Sequence, residues 1–121
     1  MSKTVLAVDD SASMRQLVGF ALKEAGYDVI SAAHGKEALE KLSSAKIDIV
    51  ITDLNMPEMD GITLIKELRS RPNSRFTPII MLTTESQDAK KLEGKQAGAS
   101  GWLVKPFNPV DLVDSVKRFV K

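Results

Sequence analysis

The segment Ile47-Asp48-Ile49-Val50-Ile51-Thr52-Asp53-Leu54-Asn55-Met56-Pro57-Glu58-Met59-Asp60-Gly61 decides the fold. Its first part, Ile47 to Thr52, is an apolar run dense in β-branched residues, the composition of a strand buried on both faces. The run stops at a carboxylate, Asp53. A Met-Pro step follows, which disfavours helix at Met56, and Asp60-Gly61 is a turn pair. Open α/β sheets hold their ligands at the carboxyl ends of central strands. An acid in that position is therefore a candidate functional group, although taken alone it also reads as the simple end of a strand.

Upstream, Thr4 to Val8 reads as a buried strand ending in Asp9-Asp10. Ser13-Met14-Arg15-Gln16 matches a capping box with Ser13 as the cap. Met14, Leu17, Val18, Ala21, Leu22 and Ala25 follow at helical spacing, and Gly26 is placed to stop that helix. Tyr27 to Ser31 reads as a second strand, and Gly35 to Ser43 as a helix burying Ala38, Leu39 and Leu42. Downstream, Asp60 caps a helix over Gly61 to Ser70. Pro78 to Leu82 is a fourth strand ending in Thr83-Thr84, and Pro78 stands at its first position. Ser86 to Ala97 is a charged helix with Ala89, Leu92 and Ala97 as core candidates. Trp102 to Val104 is a short fifth strand followed by Lys105-Pro106. Asn108 caps the last helix, Pro109 occupies its first turn, and Val110, Leu112, Val113, Val116, Phe119 and Val120 form the expected buried stripe.

Five strands alternating with five helices imply a parallel sheet covered on both faces. Right-handed crossovers leave few topologies. The expectation is a flavodoxin-like (βα)5 doubly wound α/β domain over residues 1–121, with strand order 2-1-3-4-5.

The chain has 121 residues, no cysteine and the single histidine His34. Disulfides, thiolate metal sites, cysteine nucleophiles and multi-histidine metal sites are excluded. Seventeen basic and 16 acidic residues give a net charge of +1, which argues against broad attachment to nucleic acid or anionic lipid. There is no signal-peptide pattern and no apolar run of the ~20 residues that span a bilayer. The expectation is a cytoplasmic, monomeric protein with neither nucleic-acid nor membrane partners. A DNA-binding regulator is disfavoured because no effector domain follows Lys121. His34 falls in a loop and is assigned no role.

In a parallel sheet the carboxyl ends of the strands share one rim. Asp9 and Asp10, Asp53, Thr83 and Thr84, and Lys105 would all meet there. Crowded carboxylates repel one another, and a hard divalent cation such as Mg²⁺ compensates that repulsion with oxygen ligands and water. A carboxylate beside Mg²⁺ can attack a phosphoryl group and carry it as an acyl phosphate. Metal, amine and hydroxyl would stabilise the equatorial oxygens. The same acids make a poor cradle for a flavin phosphate, which calls for backbone donors. Each residue also has an ordinary reading: Asp9-Asp10 as acids favoured at a helix start, Lys105 as an exposed lysine, Thr83 as an outward-turning strand residue. Their coincidence at four strand ends favours the site.

Asp9-Asp10, the stretch from Asp53 to Gly61, Thr83 and Lys105-Pro106, in this order and spacing, resemble the receiver domain of two-component response regulators over the whole length of the chain. The form is nearest the single-domain chemotaxis members. The resemblance implies that Asp53 accepts a phosphoryl group from a histidine kinase. It implies that Asp10, Asp53 and the Asn55 carbonyl hold Mg²⁺, with Asp9 acting through water. It further implies that Lys105 and Thr83 contact the phosphoryl oxygens, that Lys105-Pro106 is a cis peptide, and that Asn55, Thr84 and Glu85 tune the reaction. Partners implied are a chemotaxis histidine kinase, a flagellar motor switch protein and a phosphatase, with the fourth helix, fifth strand and fifth helix as output face.

Two departures stand out. Trp102 occupies the switch position where the family usually has Tyr or Phe, and a buried indole needs a partner for its N–H. Its switch role is the favoured reading, and a lone core tryptophan is the ordinary alternative. Thr84 stands where a smaller residue is common, and its branched side chain would hinder water attacking the acyl phosphate. Rival functions are a phosphorelay intermediate passing phosphate to a histidine phosphotransfer protein, and a Mg²⁺-dependent aspartyl phosphohydrolase. The phosphohydrolase is countered by the adjacent Asp9-Asp10 pair, which is not the Asp-x-Asp arrangement of such enzymes.

Overall fold

A computed structural model describes residues 2–56, 59–84 and 88–120. The elements alternate as expected: β1 (Thr4–Val8), α1 (Ala12–Glu24), β2 (Asp28–Ala32), α2 (Gly35–Ser44), β3 (Ile49–Asp53), α3 (Gly61–Ser70), β4 (Ile79–Thr84), α4 (Asp88–Ala97), β5 (Gly101–Lys105) and α5 (Pro109–Phe119). The strands pair in parallel in the order β2-β1-β3-β4-β5. β3 lies between β1 and β4 with all five of its residues buried. Strand side chains alternate between faces, so Leu6, Val8, Val50, Ile79 and Met81 join one core cluster with α2 and α3. Val5, Ala7, Ile49, Ile51, Ile80 and Leu82 join the other, with α1 and α5. Both faces of the sheet are thus dry, which explains why β3 reads as an unbroken apolar run.

Several local expectations change. The cap of α1 is Ser11, not Ser13: Ser11 is extended and its side chain accepts from the Met14 N–H at 3.3 Å. The reason lies one step earlier, where Asp9 Oδ1 accepts the Ser11 N–H at 2.9 Å and turns the chain two residues sooner. Gly26, at φ 97°, does follow the helix in a left-handed conformation. Asp60 and Asn108 cap α3 and α5 as expected, each accepting from the N–H three residues on.

In α4, Ala89 and Leu92 are exposed and only Gly94 is buried. Without a side chain, Gly94 lets the helix backbone lie against Met81; a Cβ there would overlap the Met81 sulfur. Leu92, two residues and roughly 200° around the helix, is turned outward and 59% exposed. Val110 is likewise exposed, because the stripe of α5 is centred on Leu112 and Val116. No helix among the described residues is long and apolar enough to cross a membrane.

Candidate functional site

The ends of β1 and β3 are adjacent, with Val8 opposite Thr52, so Asp9, just after β1, and Asp53, the last residue of β3, share one rim. Carboxylate oxygens of Asp9, Asp10 and Asp53 all lie within 4.8 Å of one another. Asp9 and Asp53 are buried, and Asp10 is exposed. Lys105 enters from the end of β5. Its Nζ stands 3.2 Å from Asp53 Oδ1 and 3.5 Å from Asp9 Oδ2. The peptide bond from Lys105 to Pro106 is cis.

Among the described residues, the Asp53 carboxylate is held on one side only. Its Oδ1 accepts the Leu54 N–H at 2.9 Å and faces the lysine, whereas Oδ2 accepts no hydrogen bond from a described residue. The turn behind it is tight: the Gly61 N–H donates to the Leu54 carbonyl at 2.9 Å. A Cβ at Gly61 would run into the backbone of Asp53 and Leu54, so only glycine lets α3 start this close to the strand end.

One ammonium pairs with two of the three clustered carboxylates, and the imbalance is felt at Asp9. Burial is the main cause that raises its pKa above the ordinary carboxylate value. The Ser11 N–H opposes this, the neighbouring Asp53 charge adds to it, and Lys105 works against it. Asp9 Oδ2 is buried with no hydrogen bond from a described residue; at 3.5 Å the lysine neutralises charge without bonding to that oxygen. Clustered carboxylate oxygens, one of them buried and unbonded, fit a hard, oxygen-preferring cation such as Mg²⁺.

Thr83, next to last in β4, stands one register step beyond Leu82, the residue opposite Asp53. It is fully buried, and its Oγ1 has no hydrogen-bond partner among the described residues. Thr84 is opposite Lys105 across β4 and β5. Asn55 is exposed just after the strand. Trp102 is 47% exposed on the edge strand β5; it is not a core tryptophan. Glu85, Pro57 and Glu58 lie outside the described residues.

Two residues of the site are not evident from the sequence. Ser11 fixes the Asp9 carboxylate, and an Asx turn at Asp9-Asp10-Ser11 was the available signal. Arg15, on α1, donates from Nη1 to the Asp9 carbonyl at 2.6 Å and ties the acidic loop to the helix. A contact six residues apart across a helix start has no spacing rule to reveal it.

This fold, with an acidic rim at its strand ends, is that of a receiver domain, and comparison with known proteins agrees. The model of the response regulator receiver domain matches residues 5–117, and the chain belongs to that family. Among its relatives, the chemotaxis protein CheY1 of Helicobacter pylori is 44% identical over 115 residues, covering 93% of each chain. The structure of the chemotaxis response regulator CheY4 of Vibrio cholerae superposes with a TM-score of 0.94 at 51% identity, covering 99% of this chain and 100% of that one. The receiver domain of a Pseudomonas aeruginosa sensor histidine kinase, solved with a magnesium ion coordinated in its active-site cleft, gives 0.90 at 28% identity over 98% of each chain.

Proposed function

We propose that this chain is a chemotaxis response regulator of the CheY type that accepts a phosphoryl group on Asp53 from a histidine kinase. The observation that carries the reading is the half-held Asp53 carboxylate. Oδ1 is occupied by the Leu54 N–H and Lys105, and Oδ2 is left for attack. Oδ2 would attack the phosphorus of a phosphohistidine, the P–N bond would break with its electron pair returning to the imidazole, and an acyl phosphate would form on Asp53.

Mg²⁺, when bound by Asp9, Asp10, Asp53 and the Asn55 carbonyl, would supply charge neutralisation for the phosphoryl oxygens. The magnesium in the Pseudomonas receiver domain supports that assignment. Lys105 would move from the carboxylates to a phosphoryl oxygen, and the unbonded Thr83 hydroxyl would donate to another. Drawing Thr83 inward would reset the packing around β4 and β5, with Trp102 as the aromatic that responds. Thr84 and Asn55 would control water access to the acyl phosphate. A motor switch protein is the proposed target, on the strength of the relatives named for chemotaxis.

The test is incubation with acetyl phosphate and Mg²⁺, following Trp102 fluorescence and mapping the adduct by mass spectrometry. A phosphoryl group on Asp53, absent without Mg²⁺ and absent in Asp53→Asn, is the expected result. Equal uptake by Asp53→Asn would end the reading.

A further inference from the structure

Hydrogen bonds close the loop after β1 into a circuit. Asp9 Oδ1 accepts the Ser11 N–H at 2.9 Å. The Ser11 carbonyl accepts the Arg15 N–H at 3.0 Å, the first bond of α1. Arg15 Nη1 then reaches back and donates to the Asp9 carbonyl at 2.6 Å. One residue thus holds the loop at both ends, through its backbone and through its side chain. Outside the circuit, the Asp9 N–H donates to the Ala32 carbonyl of β2 at 3.1 Å. Every polar atom of Asp9 is therefore engaged except Oδ2, which is buried with no hydrogen bond from a described residue. Asp10 lies within the circuit, is exposed, and makes no hydrogen bond of its own among the described residues. The bonds on either side of it are what bring its carboxylate to the cluster.

The place of Arg15 calls for a physical reason. The start of a helix favours acids and disfavours cations, yet α1 has no acid in its first turn and Arg15 is its fourth residue. Acids stand close by, and still Arg15 forms no ion pair with a carboxylate among the described residues. Its charge goes to a backbone carbonyl, in a charge-assisted bond that is shorter and stronger than a neutral one. An arginine laid on the carboxylates would compete with a metal ion for their oxygens. Bonded to the backbone behind them, it leaves those oxygens uncovered.

We propose that Arg15 is a positioning residue for the divalent cation: its bond to the Asp9 carbonyl closes the loop so that Asp9 Oδ2 and the Asp10 carboxylate converge with Asp53. The inference rests on the reading of the acidic rim as a Mg²⁺ site. Positioning and charge predict opposite signs. Removing a positive charge beside a cation site relieves repulsion and should tighten Mg²⁺ binding. Removing the bond that sets the loop should weaken it, as loss of the groups that orient metal ligands does.

The experiment titrates the unphosphorylated full chain with Mg²⁺ at constant ionic strength and follows amide NMR shifts. Arg15→Met keeps the apolar stem and removes the donor, and should raise the dissociation constant about tenfold. Arg15→Lys keeps a cationic donor on a shorter stem and should fall between Arg15→Met and the parent. Lys23→Met removes the same charge about two turns further along α1 and should bind as the parent does. Before any Mg²⁺ is added, Arg15→Met should already show displaced amide resonances at Asp9, Asp10 and Ser11, with those of α1 beyond Val18 in place. Arg15→Met binding Mg²⁺ as tightly as the parent, or more tightly, would overturn the proposal and leave Arg15 a role in charge or stability alone. Equal weakening by Lys23→Met would overturn it too. If Arg15→Met does not fold, Arg15→Lys decides, and an affinity equal to the parent's overturns the proposal. A parent that shows no Mg²⁺-dependent shift at Asp53 removes the metal site itself and this inference with it, an outcome distinct from a parent that binds and a variant that binds equally.

Discussion

Asp9 carries the tension of the site. Its carboxyl is held above its ordinary pKa chiefly by burial, so the folded chain takes up this proton at higher pH than the unfolded chain does. The group therefore opposes folding at neutral pH, and that penalty is relieved as pH falls through its folded-state value. Asp9→Asn should raise the melting temperature of the metal-free protein by a few degrees at pH 7, and weaken Mg²⁺ binding, as read by thermal melts and by titration followed at Trp102. A lower melting temperature would mean that the Ser11 and Lys105 contacts outweigh the desolvation. The acids, Thr83 and Lys105 were legible in the sequence because each ends an apolar run and the topology forces those ends together. Arg15 was not, because its partner is a backbone carbonyl, and any residue at position 9 would have presented one.

Elements were legible wherever an apolar period and a cap agreed, and shifted where only one signal was present. The bounds of α3 match the expectation, since Asp60 and the Ile62, Leu64, Ile65 and Leu68 stripe fix the same helix. β3 starts at Ile49, two residues later than expected, because apolar composition alone does not reveal where pairing begins. α4 misled because its packing residue is the one without a side chain, Gly94. Arg69 was invisible for a related reason: its half-buried guanidinium donates to the carbonyls of Gly98, Ser74, Arg75 and Thr77, joining α3 to the turn after α4 through backbone alone. His34, given no role from sequence, is the cap of α2. Its Nδ1 accepts the Glu37 N–H at 3.1 Å while Glu37 Oε1 accepts the Ala33 N–H at 2.7 Å, a reciprocal box with imidazole in place of a hydroxyl. His34→Ala should lower stability by about 1 kcal/mol in urea unfolding, and His34→Asn should keep most of it. Equal stability of His34→Ala and the parent would show that the cap contributes nothing.

At the scale of the molecule, the sheet order is what turns separate strand ends into one site, and it links that site to the stability of the whole chain. A cation held by Asp9, Asp10 and Asp53 would bridge the loop after β1 and the end of β3, the central strand. The unfolded chain has no such cluster, so Mg²⁺ binding should stabilise the fold by mass action. At a hundredfold excess over the dissociation constant the gain is about 2.7 kcal/mol, which for a domain of this size moves the melting temperature by roughly 10 °C. Protons compete for the same oxygens. Because burial raises the Asp9 pKa, the competition begins at higher pH than it would for an ordinary aspartate. The Mg²⁺-induced rise should therefore be full at pH 7.5 and shrink as pH falls toward the carboxylate range, starting above the pH at which an ordinary aspartate would begin to lose it. In Asp53→Asn the rise should be smaller at every pH, because a charged ligand is gone while Asp9 and Asp10 remain. Melts with and without Mg²⁺ across this range, with Ca²⁺ and NaCl at matched ionic strength as controls, separate specific binding from screening. A rise of the same size in NaCl alone would remove the cation from the account and leave the three carboxylates balanced by Lys105 only.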